Sequence, residues 1–178
     1  MATFPELMWN YRMSELVAAV AIVQLKRAHK YVEQGIAAAR FYSDAVKDIP
    51  WIRPQHTPSD RTNTYHLWAA TFEGDKHGIR RDDFARELDA VKIKGNFGLG
   101  YIQKPAYLHD VLKKPLAYKH GCPIRPPYYT GSSANYKEGL CPVAEDVMPR
   151  LILISTVGAP DDHKRNADAL RRACEKCI

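Results

Sequence analysis

A small α/β layer, with few strands in a mostly antiparallel sheet and helices gathered on one side, is the fold class this sequence predicts. Three observations carry it. The stretch 12–48 has no proline, a single glycine, and an abundance of Ala, Leu, Lys, Arg and Glu. Two runs, 64–72 and 151–157, are dense in β-branched, aromatic and aliphatic residues and end near turn-forming ones. Helical patterns lie before, between and after these runs. With 178 residues, 46% hydrophobic and 26% charged, the chain has room for one core and the composition of one that folds.

The elements follow in order. Met13, Leu16, Val17 and Val20 keep helical spacing in 12–48, which predicts two helices or one bent helix. Between Leu16 and Val23 the apolar character wraps nearly all round, so that part needs cover on more than one side. The pattern runs on through Tyr31, Ala38, Phe41, Tyr42 and Ala45 to Ile49, where Pro50 forbids continuation. The proline-bearing stretch 49–61 is predicted to be a connecting loop, and 64–72 a strand. Phe84, Leu88 and Val91 share one face of a helix over 82–91, whose first turn holds Asp82 and Asp83. The segment 98–142, crowded with Pro, Gly and Tyr, is loop-like apart from a short helix near 107–112. Pro142 starts a short helix to Met148, 151–157 is a buried strand, and Pro160 opens a closing helix to Cys174.

Several function classes recede on composition. The longest apolar run, Leu16 to Val23, is far shorter than a membrane span, so no membrane partner is expected. The first residues carry Glu6 and no basic residue, unlike a secretory or transit peptide, and a cytoplasmic location is the expectation. The net charge of +6 is dispersed without a Lys/Arg block, which argues against a nucleic-acid partner. Four unevenly spaced cysteines do not make a disulfide framework and are expected to be reduced thiols. Cys174 and Cys177 fall on the inner face of the last helix with no second ligand pair nearby, so no metal site is predicted. His66, in the first strand, reads as a core histidine, and the other histidines stand singly.

Asn10, Tyr11, Arg12 and Met13 sit where the long helix is predicted to begin. Free backbone N–H groups, an amide and a guanidinium would converge there on an anion; alternatively Asn10 is simply the N-cap. The tyrosine-rich stretch 118–136 offers His120, Arg125, Tyr128, Tyr129 and Tyr136 as stacking faces and donors for a polar, anionic substrate, or packs as a proline-stiffened loop.

The run Asn10-Tyr11-Arg12-Met13-Ser14-Glu15-Leu16, followed by Ala18-Ala19-Val20 and Gln24-Leu25, resembles the helix after the cofactor-lysine segment in the DegT/DnrJ/StrS family of pyridoxal-phosphate-dependent sugar aminotransferases. Tyr65-His66-Leu67-Trp68 resembles the first strand of that family's small domain, and Cys141-Pro142-Val143-Ala144-Glu145 its late helix. The resemblance implies the C-terminal portion of a fold-type-I aminotransferase, with interface and linking helices over 1–49 and the small domain over 50–178. It implies a homodimer, or pairing with a chain that carries the cofactor-lysine domain. Asn10 would reach the phosphate of the partner subunit's pyridoxal phosphate, with Arg12 in support. Tyr101 would approach a sugar-nucleotide-like substrate, or else is a core tyrosine. The chemistry needs a lysine to hold the cofactor and an acid on the pyridinium nitrogen. In the family both precede the Asn-Tyr-Arg motif, so no catalytic residue is assigned here and the chain alone is expected not to transaminate. The alternative is a non-catalytic interaction or regulatory module that pairs with a full-length homologue.

Overall fold

The computed structural model describes residues 12–94, 97–99, 104–113 and 135–178. A single helix, α1 (Glu15–Ala45), replaces the broken or bent pair that the sequence suggested. At 31 residues it is about 46 Å long at 1.5 Å per residue. Its one glycine is a contact point, not a kink. A Cβ on Gly35 would stand 2.9 Å from the Thr64 carbonyl oxygen, so glycine lets the next segment cross the helix at close range. The helix stops at Ala45, earlier than Pro50 demands, and Val46 and Ile49 turn down into the core.

Among the described residues four strands form one antiparallel sheet, in the order β1-β2-β4-β3. Its centre is β2 (Leu67–Phe72) against β4 (Leu151–Ser155), with Ala69 opposite Leu153. Both were expected, each somewhat longer. β1 (Ile52–Pro54) lies inside the stretch expected to be loop, and β3 (Phe97–Leu99) inside one given no regular structure at its start. Each is a three-residue edge strand held by its neighbour, β1 by β2 and β3 by β4.

Period-two alternation sends Trp68, Ala70 and Phe72 of β2, with Ile152 and Ile154 of β4, to one face. Three helices cover that face: the second half of α1, α2 (Arg81–Ala90) through Phe84 and Leu88, and α5 (Pro160–Glu175) through Ala167, Leu170, Ala173 and Cys174. Pro160 occupies the first turn of α5 and Asp161 and Asp162 follow it, as the helix dipole favours. Trp51, Phe72 and Phe84 make an aromatic cluster, with ring centroids 4.9 Å apart for Trp51 and Phe84 and 5.4 Å for Phe72 and Phe84. The Trp68 indole N–H donates to Ser43 Oγ at 2.9 Å, so its one polar atom is satisfied inside the core.

Side-chain ties close the layer. The Asn166 amide accepts from the Lys94 N–H at 2.9 Å and donates to the Lys94 carbonyl at 2.8 Å, copying a strand partner from a helix. Arg171 of α5 pairs with Asp48 and donates to the Ala45 carbonyl at 3.3 Å, locking the end of α1. Two short helices, α3 (Asp110–Lys113) and α4 (Pro142–Val147), flank the segment 114–134. No helix among the described residues is long and apolar enough to cross a membrane.

Candidate functional site

The head of α1 begins four residues later than Asn10. Residues 12–14 are non-helical, and Ser14 is the N-cap, its Oγ accepting the Val17 N–H at 3.4 Å. The expected cap at Asn10 is therefore not needed; Asn10 itself lies outside the described residues. Arg12 is exposed two residues before the cap, close in sequence to the remaining N–H groups of the first turn. Those N–H groups and a guanidinium are a donor set suited to phosphate.

Beyond the cap, the first half of α1 carries a set of uncovered apolar side chains. Leu16 is 84% exposed and Leu25 76%, and Val17, Val20, Ile22 and Val23 are exposed as well. Burying one such side chain is worth about 1.5–3 kcal/mol. Small residues on another face, Ala18, Ala21 and Ala28, are half-buried, and burial is complete only from Gly35 onward. Apolar exposure on more than one side is the pattern of a helix that passes through a larger body.

Of the residues expected to meet substrate, Tyr136 is half-buried near the start of the segment that leads into α4. Tyr101, His120, Arg125 and Tyr128 lie outside the described residues. What the structure does show is how the flanks of that tyrosine-rich stretch are tied. The Glu145 carboxylate of α4 accepts from the Tyr107 hydroxyl, and from the Gly139 N–H at 2.9 Å to each oxygen. The Cys141 N–H donates to Tyr107 Oη at 3.3 Å. One carboxylate thus holds residues on both sides of 114–134. The Tyr107 hydrogen bond and then the Gly139 N–H hold the Glu145 carboxyl below its ordinary range. Burial, together with Glu145, pushes the Tyr107 phenol up to about 12. The anchor is accordingly complete at neutral pH and is lost only as pH falls through the depressed Glu145 value. Replacing Glu145 with alanine is expected to speed amide exchange at Gly139 and Cys141 by about tenfold or more, with the β2–β4 amides unchanged. Unaltered exchange at those two amides would show that the carboxylate does not hold them.

His66 is exposed, not a core histidine; the chain turns at Tyr65, where φ is 50°, before β2 begins. Among the described residues the buried histidine is His163, at 4% exposure in the first turn of α5. The sequence carried a signal for it, since His163 shares the helix face of Asn166, Ala167 and Leu170. Its Nδ1 lies 2.8 Å from the Tyr42 hydroxyl, which is also 3.3 Å from the Ser155 carbonyl, and its Nε2 has no hydrogen-bond partner among the described residues. Burial lowers its pKa below the ordinary 6.5, against the opposing pulls of the Gly158 backbone and Asp162. The unfolded chain therefore takes up this proton first as pH falls. Stability is complete above about pH 6.5 and declines below it with a slope approaching one proton. Denaturant melts from pH 8 to 5 test this, because His163→Gln is expected to flatten that limb.

Cys174 is fully buried and burial pushes its thiol up to about 12, which makes it unreactive at neutral pH. Cys177 is half-buried. Among the described residues no three His, Cys, Asp or Glu side chains are grouped to hold a metal.

A four-stranded antiparallel sheet is covered on one face by three helices, one of which, α1, runs on with its first half largely uncovered, an arrangement of mixed α and β class. The comparisons name the architecture. The profile of the DegT/DnrJ/EryC1/StrS aminotransferase family matches residues 5–124, more than half of the chain, and the chain belongs to that family. It is 25% identical over 113 residues to MJ1066, an uncharacterised protein of Methanocaldococcus jannaschii, in a match that takes in 64% of this chain and 28% of MJ1066. Among solved structures it shares the fold of DesI, analysed in the presence of its TDP-sugar product, with a TM-score of 0.54 and 19% identity over 91% of this chain and 36% of that one. The chain thus spans about a third of the length of these proteins.

Proposed function

We propose that this chain is the C-terminal portion of a pyridoxal-phosphate-dependent aminotransferase that transfers an amino group from an amino acid to a keto-sugar carried on a nucleotide. The observation that carries the reading is the uncovered apolar half of α1, in a chain whose family membership is shown and which spans a third of its relatives. Residues 1–49 serve as the linking and interface region, which contains α1, and 50–178 as the small domain. The TDP-sugar of DesI supports a nucleotide-linked substrate. The working assembly is a homodimer, or a pairing with a chain that bears the cofactor-lysine domain.

The residues present suit one part of the cofactor, its phosphate. Arg12 and the head of α1 provide donors for it, with Asn10 beside them in sequence. Every described lysine is exposed, so none of them is placed in a sheltered site for covalent attachment. Pyridoxal phosphate, when bound, supplies the electron sink for amino transfer. This chain's part is to fix the phosphate through Asn10 and Arg12. Tyr101, His120, Arg125, Tyr128 and Tyr136 shape the substrate pocket, on flanks held by Glu145.

The test combines the chain with a separately expressed lysine-bearing domain of a family member, pyridoxal phosphate, glutamate and a keto-sugar nucleotide. Amino-sugar is expected only from the combination, and Arg12→Ala is expected to weaken cofactor retention. Turnover by the chain alone would overturn the division of labour. Stable pairing without turnover would replace it with a non-catalytic interaction or regulatory role.

A further inference from the structure

The outer face of the sheet, away from the three helices, holds a cleft of about 310 Å³ where β1 and β2 meet the end of α4 and the start of β4. That volume lies at the lower end of the range for small-molecule sites. Its floor is Ala69 and Thr71, and Val147 and Leu151 give it an apolar wall.

The polar groups around it are unevenly spent. Gln55 forms one rim, its backbone N–H donating to the Ala69 carbonyl and its side-chain oxygen accepting the Ala69 N–H, both at 2.9 Å. That fixes the side chain and leaves its amide N–H groups without a partner among the described residues. His56, next in the chain, is exposed and its ring makes no hydrogen bond among the described residues. The Arg53 side chain is 79% exposed and meets Glu73 only loosely, at 4.0 Å.

Across the cleft Arg150 is held in place, its Nη1 donating to the Phe72 carbonyl at 3.1 Å, its Nε to the Asp146 carbonyl at 3.2 Å, and its Nη2 to the Asp146 carboxylate. The two carboxylates near the cleft are already matched. Glu73 accepts from Lys76 at 2.6 Å and is held below its ordinary range by Lys76, Arg150 and Arg53, while Asp146 pairs with Arg150. Residues 53, 55 and 56 therefore present a guanidinium paired only loosely with Glu73, and an amide and an imidazole with no acceptor among the described residues, beside an apolar wall. These donors outnumber the two oxygens of a carboxylate and suit the three of a phosphate monoester.

We propose that this cleft binds a phosphate monoester with a small apolar body, its phosphate held by Arg53, Gln55 and His56 and its body laid over Ala69, Val147 and Leu151. The inference does not depend on the aminotransferase reading, because none of these residues is assigned to cofactor or substrate there. Calorimetric titration of the full chain with phenyl phosphate at low salt tests it. Saturable binding is expected, weakened by about tenfold or more in Arg53→Gln and in His56→Ala, and several-fold weaker for inorganic phosphate, which lacks the apolar body. Both side chains are exposed, so the variants should keep the wild-type melt, which is checked in parallel. No saturable binding, binding that both variants leave unchanged, or equal affinity for inorganic phosphate would each overturn the proposal.

Discussion

Replacing Phe84 with alanine is expected to cost about 3–5 kcal/mol and to lower the melting temperature by about 6–20 °C. The ring is fully buried, stacked on Phe72 at 11° and set edge-to-face against Trp51 at 85°. Those three residues come from β2, from α2 and from the link between α1 and β1. Truncating Phe84 thus opens a cavity that three separate elements line, and backbone on all three sides limits collapse into it. A domain of this size has only about 5–15 kcal/mol of net stability, so the loss is a large share of the whole. Scanning calorimetry decides the matter. A shift under about 2 °C would mean that α2 does not share the common core.

The second large effect concerns association. Expressed alone, the chain is expected to form dimers or larger species through α1, and Leu16→Glu combined with Val20→Glu is expected to return it to a 20.2 kDa monomer. Each replaced side chain forfeits about 1.5–3 kcal/mol of burial, and in a symmetric contact each loss counts twice, so the association constant should fall by more than about a hundredfold. The core should be indifferent, because buried positions of α1 begin only at Gly35. Light scattering over a range of concentrations, with a melt of each variant, checks both halves of the statement. A wild-type chain that stays monomeric throughout would remove the reason for assigning the exposed helix to a larger body.

The parts of the fold that the sequence announced are those whose signal is local. The 64–72 and 151–157 runs alternate, so β2 and β4 could be recognised, and Pro160 followed by two aspartates marks the start of α5 to the residue. β1 could not be recognised in this way. Its three residues include Pro54 and stand in a proline-bearing stretch, and only hydrogen bonds to β2 make them a strand. β3 contains Gly98 and depends in the same way on β4. Gly35 misled in the opposite direction. An isolated helical glycine suggests a break, and here it marks a crossing that local sequence cannot reveal, because Thr64 is far along the chain.

At the candidate site the distinction is similar. The Asn-Tyr-Arg-Met run carried the family resemblance, and the family profile spans it. Ser14 as the cap was within reach, being a strong capping type followed at once by the apolar pattern. The roles of Glu145 and Gln55 were not, since each depends on partners brought from elsewhere in the chain: Tyr107 for one, Ala69 for the other. His66 reads as a core histidine only by its place within the predicted strand 64–72, and β2 begins one residue after it. Helix periodicity in α5 pointed instead to His163.

The crossing at Gly35 also fixes a lever. From there to Glu15 α1 runs as a rod of about 30 Å, clamped at its C-terminal third by Tyr42, Trp68 and Arg171. A tilt of about 5° at the clamp carries the far tip through about 2.6 Å, close to the length of a hydrogen bond. The placing of Ser14 and of the first turn of α1 is therefore set by a contact on the order of 30 Å away. A methyl group added at Gly35, pressed against the Thr64 carbonyl, would steer the tip without touching it.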